Sequence, residues 1–150
     1  MRNILFRGQD KDNQKWYKGY YWYTEDIALC PVALTEKDIQ QNSHHYILMD
    51  GLSDWNLPIP KYKAEIKPET LCQFTGGEDK NGTQIFEHDI VKSWKTDDED
   101  GLAEILWDKD TARFIIWWKG DLNLITDFDN FDWKDLEIVG NSFDNPELIE

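Results

Sequence analysis

One stretch, Ile66 to Val91 (I-K-P-E-T-L-C-Q-F-T-G-G-E-D-K-N-G-T-Q-I-F-E-H-D-I-V), constrains the fold of this chain more than any other. Pro68 excludes a regular helix interior, because it lacks an amide donor and its ring clashes with the preceding turn. Asn81-Gly82 is a strong hairpin dipeptide, since both residues accept positive φ. It predicts a type I′ turn between strands ending near Asp79 and starting near Gln84. Asp89 then opens the apolar run Ile90-Val91, which reads as a strand leaving the turn. The segment specifies architecture and contains no catalytic motif.

The rest of the chain repeats the pattern of short Ile-, Val- and aromatic-rich runs broken by turn residues, which predicts a mainly β fold with minor helix. In the first half, strands are expected near residues 4–6, 16–23, 28–33, 45–49 and 71–75. Thr35 is a good N-cap for one or two helical turns through the polar segment that follows. Residues 50–61, with Gly51, Pro58 and Pro60, read as a loop tacked down by Trp55 and Leu57. In the second half, residues 89–94, 103–107, 113–118, 123–127 and 136–139 give five strand candidates. Their spacing suits an SH3-like roll or small barrel packed with the N-terminal β-rich part. Arg113-Phe-Ile-Ile-Trp-Trp is apolar on both strand faces and should therefore be a central strand. Pro146 is placed to start a terminal turn behind Asn145. One domain over residues 1–150 is expected, with an N-terminal part of about 1–65 and a central and SH3-like part of about 66–150.

A gapped echo links the halves. Phe6-x-Gly8-x-Asp10-Lys11 is followed by Asn13 and Trp16, and Phe74-x-Gly76 by Asp79-Lys80, Asn81 and Ile85. Both read as strand, Asp-Lys turn, strand.

Composition bounds the function classes. With 150 residues and 21 aromatics (8 Trp, 6 Tyr, 7 Phe), the chain can build a real core and is not disordered. No apolar run approaches the roughly 18 residues of a membrane span, and the N-terminus lacks a secretory pattern. Cys30 and Cys72 are isolated and read as reduced thiols. A cytoplasmic protein of a bacterial host cell is expected. The formal net charge is −14, placed unevenly: residues 1–86 carry 12 acidic against 10 basic side chains, and residues 87–150 carry 18 against 6. Such a field disfavours direct nucleic-acid binding. It leaves open an acidic DNA mimic, for which Asp97, Asp98, Glu99, Asp100, Asp108 and Asp110, with the aspartates from Asp121 to Asp135, are candidates. Most of these fall in turns, so two acidic caps are expected rather than one continuous ridge.

Chemistry is sparse. His44, His45 and His88 have no metal-ligand spacing among themselves or with the cysteines. Adjacent His44 and His45 would point to opposite faces of a strand. An EF-hand fails: registering Gly82 at loop position 6 puts Gly77 at position 1, where an oxygen ligand belongs. Asp97, Asp98, Glu99 and Asp100 are a looser divalent-cation candidate on a hydrophilic hairpin tip. No nucleophile elbow, Walker loop or dinucleotide fingerprint occurs, so no catalytic residue and no cofactor is assigned. Trp117-Trp118 put one indole on each sheet face and are the partner-binding candidates.

Three ordered motifs carry a resemblance. Phe6-Arg-Gly with Lys15-Trp-Tyr-Lys-Gly19-Tyr opens the chain. Pro68-Glu-Thr, Gln73-Phe-Thr-Gly, Asp79-Lys-Asn-Gly, Ile85-Phe-Glu and Asp89-Ile-Val form its centre. Leu136-Glu-Ile-Val-Gly-Asn and Asn145-Pro-Glu-Leu close it. Together they resemble the YopX-like family of phage and prophage proteins over nearly the whole length. Cys72 and His88 stand where that family's pattern usually has glycine, and positive φ at either would cost about 1 kcal/mol. The resemblance implies a mainly β fold with an SH3-like C-terminal roll and a phage or prophage origin. It implies no established activity and no catalytic residues. A non-enzymatic accessory protein that binds a host or phage protein is the first expectation, with homo-oligomerisation left open. A metal-dependent enzyme on the acidic half is the alternative from another class.

Overall fold

The computed structural model describes residues 3–26, 35–50, 61–93, 101–118, 125–126 and 132–149. The expected strand at 28–33 lies outside the described residues, as do residues 51–60 of the expected 50–61 loop, whose two end residues belong to strands, and residues 96–100 of the expected acidic tip. The chain is mainly β and divides into two compact units, Leu5–Leu71 and Met1–Ile4 with Cys72–Glu150. The division falls a few residues beyond the expected 65/66. The segment after β4 stays with the first unit because the Lys67 amide donates to Gln9 O (2.9 Å) and the Gln9 amide to the Thr70 hydroxyl (2.9 Å).

In the N-terminal unit, β1 (Phe6–Gln9), β2 (Trp16–Glu25), β3 (Ser43–Asp50) and β4 (Lys61–Glu65) form antiparallel neighbours in the order β4-β3-β2-β1. Strand β4 was not expected from sequence, because Lys61-Tyr-Lys-Ala-Glu has only two apolar side chains and follows two prolines. Pairing with β3 supplies what local pattern lacks, through Leu48↔Lys63 and Ile47↔Ala64. One face is turned inward, where Ile47, its partner Ala64 across the β3–β4 ladder, and Ile66 are buried. The short helix α1 (Glu36–Gln41) begins at Thr35 as expected. The Thr35 hydroxyl and amide both donate to the Asp38 carboxylate (2.6 and 2.9 Å) and hold it below the usual carboxylate range, while the Asp38 amide donates back to the Thr35 hydroxyl to close a capping box.

In the C-terminal unit, β5 (Cys72–Glu78) and β6 (Gln84–Phe86) make a hairpin. Strands β7 (Asp89–Ser93), β8 (Leu102–Asp108), β9 (Arg113–Trp118), β10 (Ile125–Thr126) and β11 (Leu136–Asn141) form one antiparallel sheet in the order β10-β9-β8-β7-β11. All five expected strands are present. No ladder between β10 and β11 closes the sheet into a barrel among the described residues. Strand β9 lies inside the sheet, and Phe114, Ile116 and Trp118 join Ile85, Val91, Ala103, Ile105 and Leu136 in one buried cluster. Each fully buried Ile or Leu there contributes about 2 kcal/mol of transfer free energy. A 3-10 turn at Pro146–Leu148 ends the chain where Pro146 was expected to start one.

The β5–β6 turn corrects one expectation. Gly82 has φ +80° as foreseen, but Asn81 is not in the positive-φ region, so the turn is not type I′. The loop is three residues long: the Gly82 amide donates to Asp79 O (2.9 Å) and the Asp79 amide to Thr83 O (2.8 Å). This is a type I turn completed by a left-handed glycine. The reason lies in Asp79, whose Oδ1 accepts the amides of Asn81 (2.9 Å) and Thr83 (2.8 Å) and so fixes Asn81 in the right-handed conformation.

The sequence echo has a counterpart in space. In the β1–β2 turn, Asp10 Oδ1 accepts the amides of Asp12 and Asn13 (both 2.9 Å), and Gln14 takes the positive-φ position at +59°. The Lys11 amide donates to Glu65 O, as the Lys80 amide donates to Leu136 O. Lys11 pairs with Glu65 and Lys80 with Glu137. Each unit thus begins with a strand–Asp-Lys turn–strand whose tip is held by a later strand.

Candidate functional site

The residues singled out in sequence do not come together. Asp97, Asp98, Glu99 and Asp100 lie outside the described residues. Trp118 is buried in the C-terminal core and is unavailable to a partner, while Trp117 on the opposite face is half-buried. That follows from strand alternation, since only one of two consecutive residues can face the core. Trp107 is more exposed than either. The histidines are dispersed. His44 Nδ1 meets Glu65 Oε1 (2.8 Å), His45 Nδ1 meets the Tyr21 hydroxyl (2.7 Å), and His88 Nδ1 meets Glu104 Oε1 (2.8 Å). Among the described residues, no group of three or more His, Cys, Asp or Glu could hold a metal. Cys72 is buried and has no positive φ, whereas His88 has φ +65°. Of the two departures from glycine, only His88 carries the strain foreseen. Its ring stacks edge-on to Phe143 (5.2 Å) and faces the buried Glu104.

Two features stand out instead. The first is an open groove of about 500 Å³ in the C-terminal unit, lined by Phe74, Glu78, Gln84, Asp132, Trp133 and Lys134 beside Asn3 and Gly76-Gly77. Trp133 enters from the 3-10 turn Trp133–Asp135, capped by Asp132, whose carboxylate accepts the Lys134 amide (3.2 Å). Its indole packs directly against Gly77, where any Cβ would overlap the ring. The β5–β6 register shifts between Phe74 and Glu78, beside the indole, where the Gly77 amide donates to the Thr75 hydroxyl (3.2 Å). The groove therefore has an aromatic wall and a rim of both charges.

The second is the face of the N-terminal sheet that carries the even-numbered residues of β2. Trp16, Lys18, Tyr20 and Trp22 share that face of β2, with Tyr46 across on β3 and Lys63 on β4. Trp22 stacks on Tyr46 (5.4 Å, 28°), and Lys63 Nζ lies 4.4 Å from the Tyr46 ring centre and 5.7 Å from that of Trp22. The Arg7 guanidinium stands over Trp16 at 5.1 Å. Tyr20 and Trp22 remain 49% and 43% exposed. Sequence reading missed this face because residues 16–23 are aromatic at odd and even positions alike. Period-2 alternation read through Trp16, Lys18, Tyr20 and Trp22 would have found it.

The comparisons agree with the motifs. The family model described as YopX protein matches residues 5–150. The chain belongs to the YopX family. A crystal structure of protein EF1440 from Enterococcus faecalis is similar to this YopX chain over 100% of both chains, at 21% sequence identity and a TM-score of 0.51. That likeness concerns the fold. A search of curated proteins returns no match. Among the described residues of this family member, no helix is long and apolar enough to cross a membrane.

Proposed function

We propose that this YopX protein is a non-enzymatic accessory protein of phage or prophage origin, acting by binding a host or phage protein in the bacterial cytoplasm. The single observation that carries the reading is the groove at Trp133. Aromatic side chains with a polar rim are what protein-recognition surfaces concentrate. The strand order β10-β9-β8-β7-β11, with the last strand returning beside the first after a 3-10 turn, supports reading the C-terminal unit as an SH3-like roll. Such rolls carry grooves for extended peptides.

The test is capture from host lysate at physiological salt with the wild-type chain and with the rim variants Glu78→Lys and Lys134→Glu. Both side chains are exposed, so the fold is retained. A specific protein held by the wild type and lost by the rim variants supports the reading. Repeated failure to hold any protein, or retention indifferent to both substitutions, overturns it.

A further inference from the structure

We propose that the face of the N-terminal sheet bearing Tyr20 and Trp22 binds single-stranded nucleic acid, with bases stacking on those two rings and phosphates meeting Lys63, Lys18 and Arg7. The inference goes beyond the protein-binding groove and uses a different surface. It rests on what is interleaved there. Two exposed rings stand at i and i+2 on one strand, roughly 7 Å apart along it. Successive bases of a single strand pulled out to about twice the 3.4 Å stacked rise would meet such a spacing. Every base presents a π-face, so an aromatic platform flanked by cations takes single strands with little sequence preference. A sheet face with surface aromatics is also an arrangement on which unpaired bases are read.

The cations decide between polyanion and protein. Lysine is depleted in protein–protein interfaces, whereas phosphate backbones are met by lysine and arginine. Lys63 already lies over Tyr46 and Trp22, so charge and stacking surface coincide. Of the carboxylates around this face, Glu65 is engaged by Lys11 and His44 and Asp26 meets His44 (3.4 Å), while Asp50 stands exposed at the end of β3. The acidic excess of the chain lies in residues 87–150, none of which belongs to the strands that form this face. A duplex hides the base faces in its own stack, so the unpaired form is the one recognised.

The test is fluorescence anisotropy of a fluorescein-labelled oligo(dT) of about 12 nucleotides, titrated with the full chain at low salt. Binding that weakens with salt, falls at least fivefold in Trp22→Ala and in Tyr20→Ala, and falls again in Lys63→Glu is expected. Trp22→Phe should retain most of it. Circular dichroism identifies any variant that fails to fold, and the conservative Trp22→Phe and the exposed Lys63→Glu then decide. The proposal is overturned by no anisotropy change, or by binding indifferent to these substitutions. It is equally overturned if an unlabelled duplex competes as well as the single strand, or if poly-glutamate does, since the latter would make this a surface for acidic proteins.

Discussion

The Asp79 carboxylate accepts the backbone amide of Ile138 at 3.2 Å, joining the β5–β6 turn to a strand 59 residues away. The same side chain orders its own turn through Asn81 and Thr83, so one buried acid closes both a local and a distant structure. It is 3% exposed. Burial pushes its pKa up, but the amides of Thr83, Ile138 and Asn81 outweigh burial and hold it below the usual carboxylate value.

Asp79→Asn should therefore destabilise the protein by about 3 kcal/mol, because an amide nitrogen would face backbone donors that need an acceptor. A folded-state pKa below the unfolded one gives stability that is complete above the unfolded value of about 3.9 and lost as pH falls through the folded value. Denaturant titration should show the wild type losing stability more steeply than Asp79→Asn below about pH 4. Parallel acid profiles would contradict this role.

The two glycines of the hairpin should respond differently. At Gly82 an added methyl meets nothing within 4 Å, so Gly82→Ala costs only the strain of φ +80°, about 1 kcal/mol. At Gly77 the methyl overlaps Trp133, whose indole must leave its seat. Gly77→Ala should cost clearly more than Gly82→Ala in chemical denaturation and red-shift tryptophan emission. Equal costs would mean that the indole is not held against Gly77.

His88 sets strain against pairing. Replacing it by glycine relieves about 1 kcal/mol of left-handed backbone strain but leaves the buried Glu104 carboxylate without its imidazole partner. A charge-assisted bond of that kind is worth about 1.5–3 kcal/mol, so His88→Gly should be net destabilising. In the Glu104→Gln background the same substitution should become near neutral or stabilising, which a double-mutant cycle measures. Additive effects would show that the pair is not coupled.

The two adjacent tryptophans should separate cleanly. Trp118→Ala removes a side chain 4% exposed and should cost about 3–5 kcal/mol, whereas Trp117→Ala, on the half-buried opposite face, should cost less than half as much. Similar losses would argue that both faces of β9 are equally packed.

The metal-dependent alternative has a direct check. Calcium, magnesium or manganese at millimolar concentration should leave the unfolding midpoint unchanged, since a ligand that binds only the folded state must raise it. A clear rise that is lost on substituting Asp97, Asp98, Glu99 and Asp100 would restore a cation site to the acidic half.

The sequence by itself determined what local chemistry controls. Pro68, Gly82, the Thr35 cap, the Asp-Lys turns and the apolar run of Arg113–Trp118 each act on neighbouring residues, and each appears where its residues demanded. The ordered motifs also identified the family. What local chemistry does not reach was decided by tertiary structure. Strand β4 exists because β3 lies beside it, and Asn81 keeps negative φ because a buried Asp79 organises the loop. The indole of Trp133 finds Gly77 from 56 positions away in the chain. Charge shows the same division: the count of acidic residues is a property of the sequence. That Lys63, Trp22, Tyr46 and Tyr20 share one face depends on strand register, and register is fixed by burying Ile47 and Ala64 on the other side.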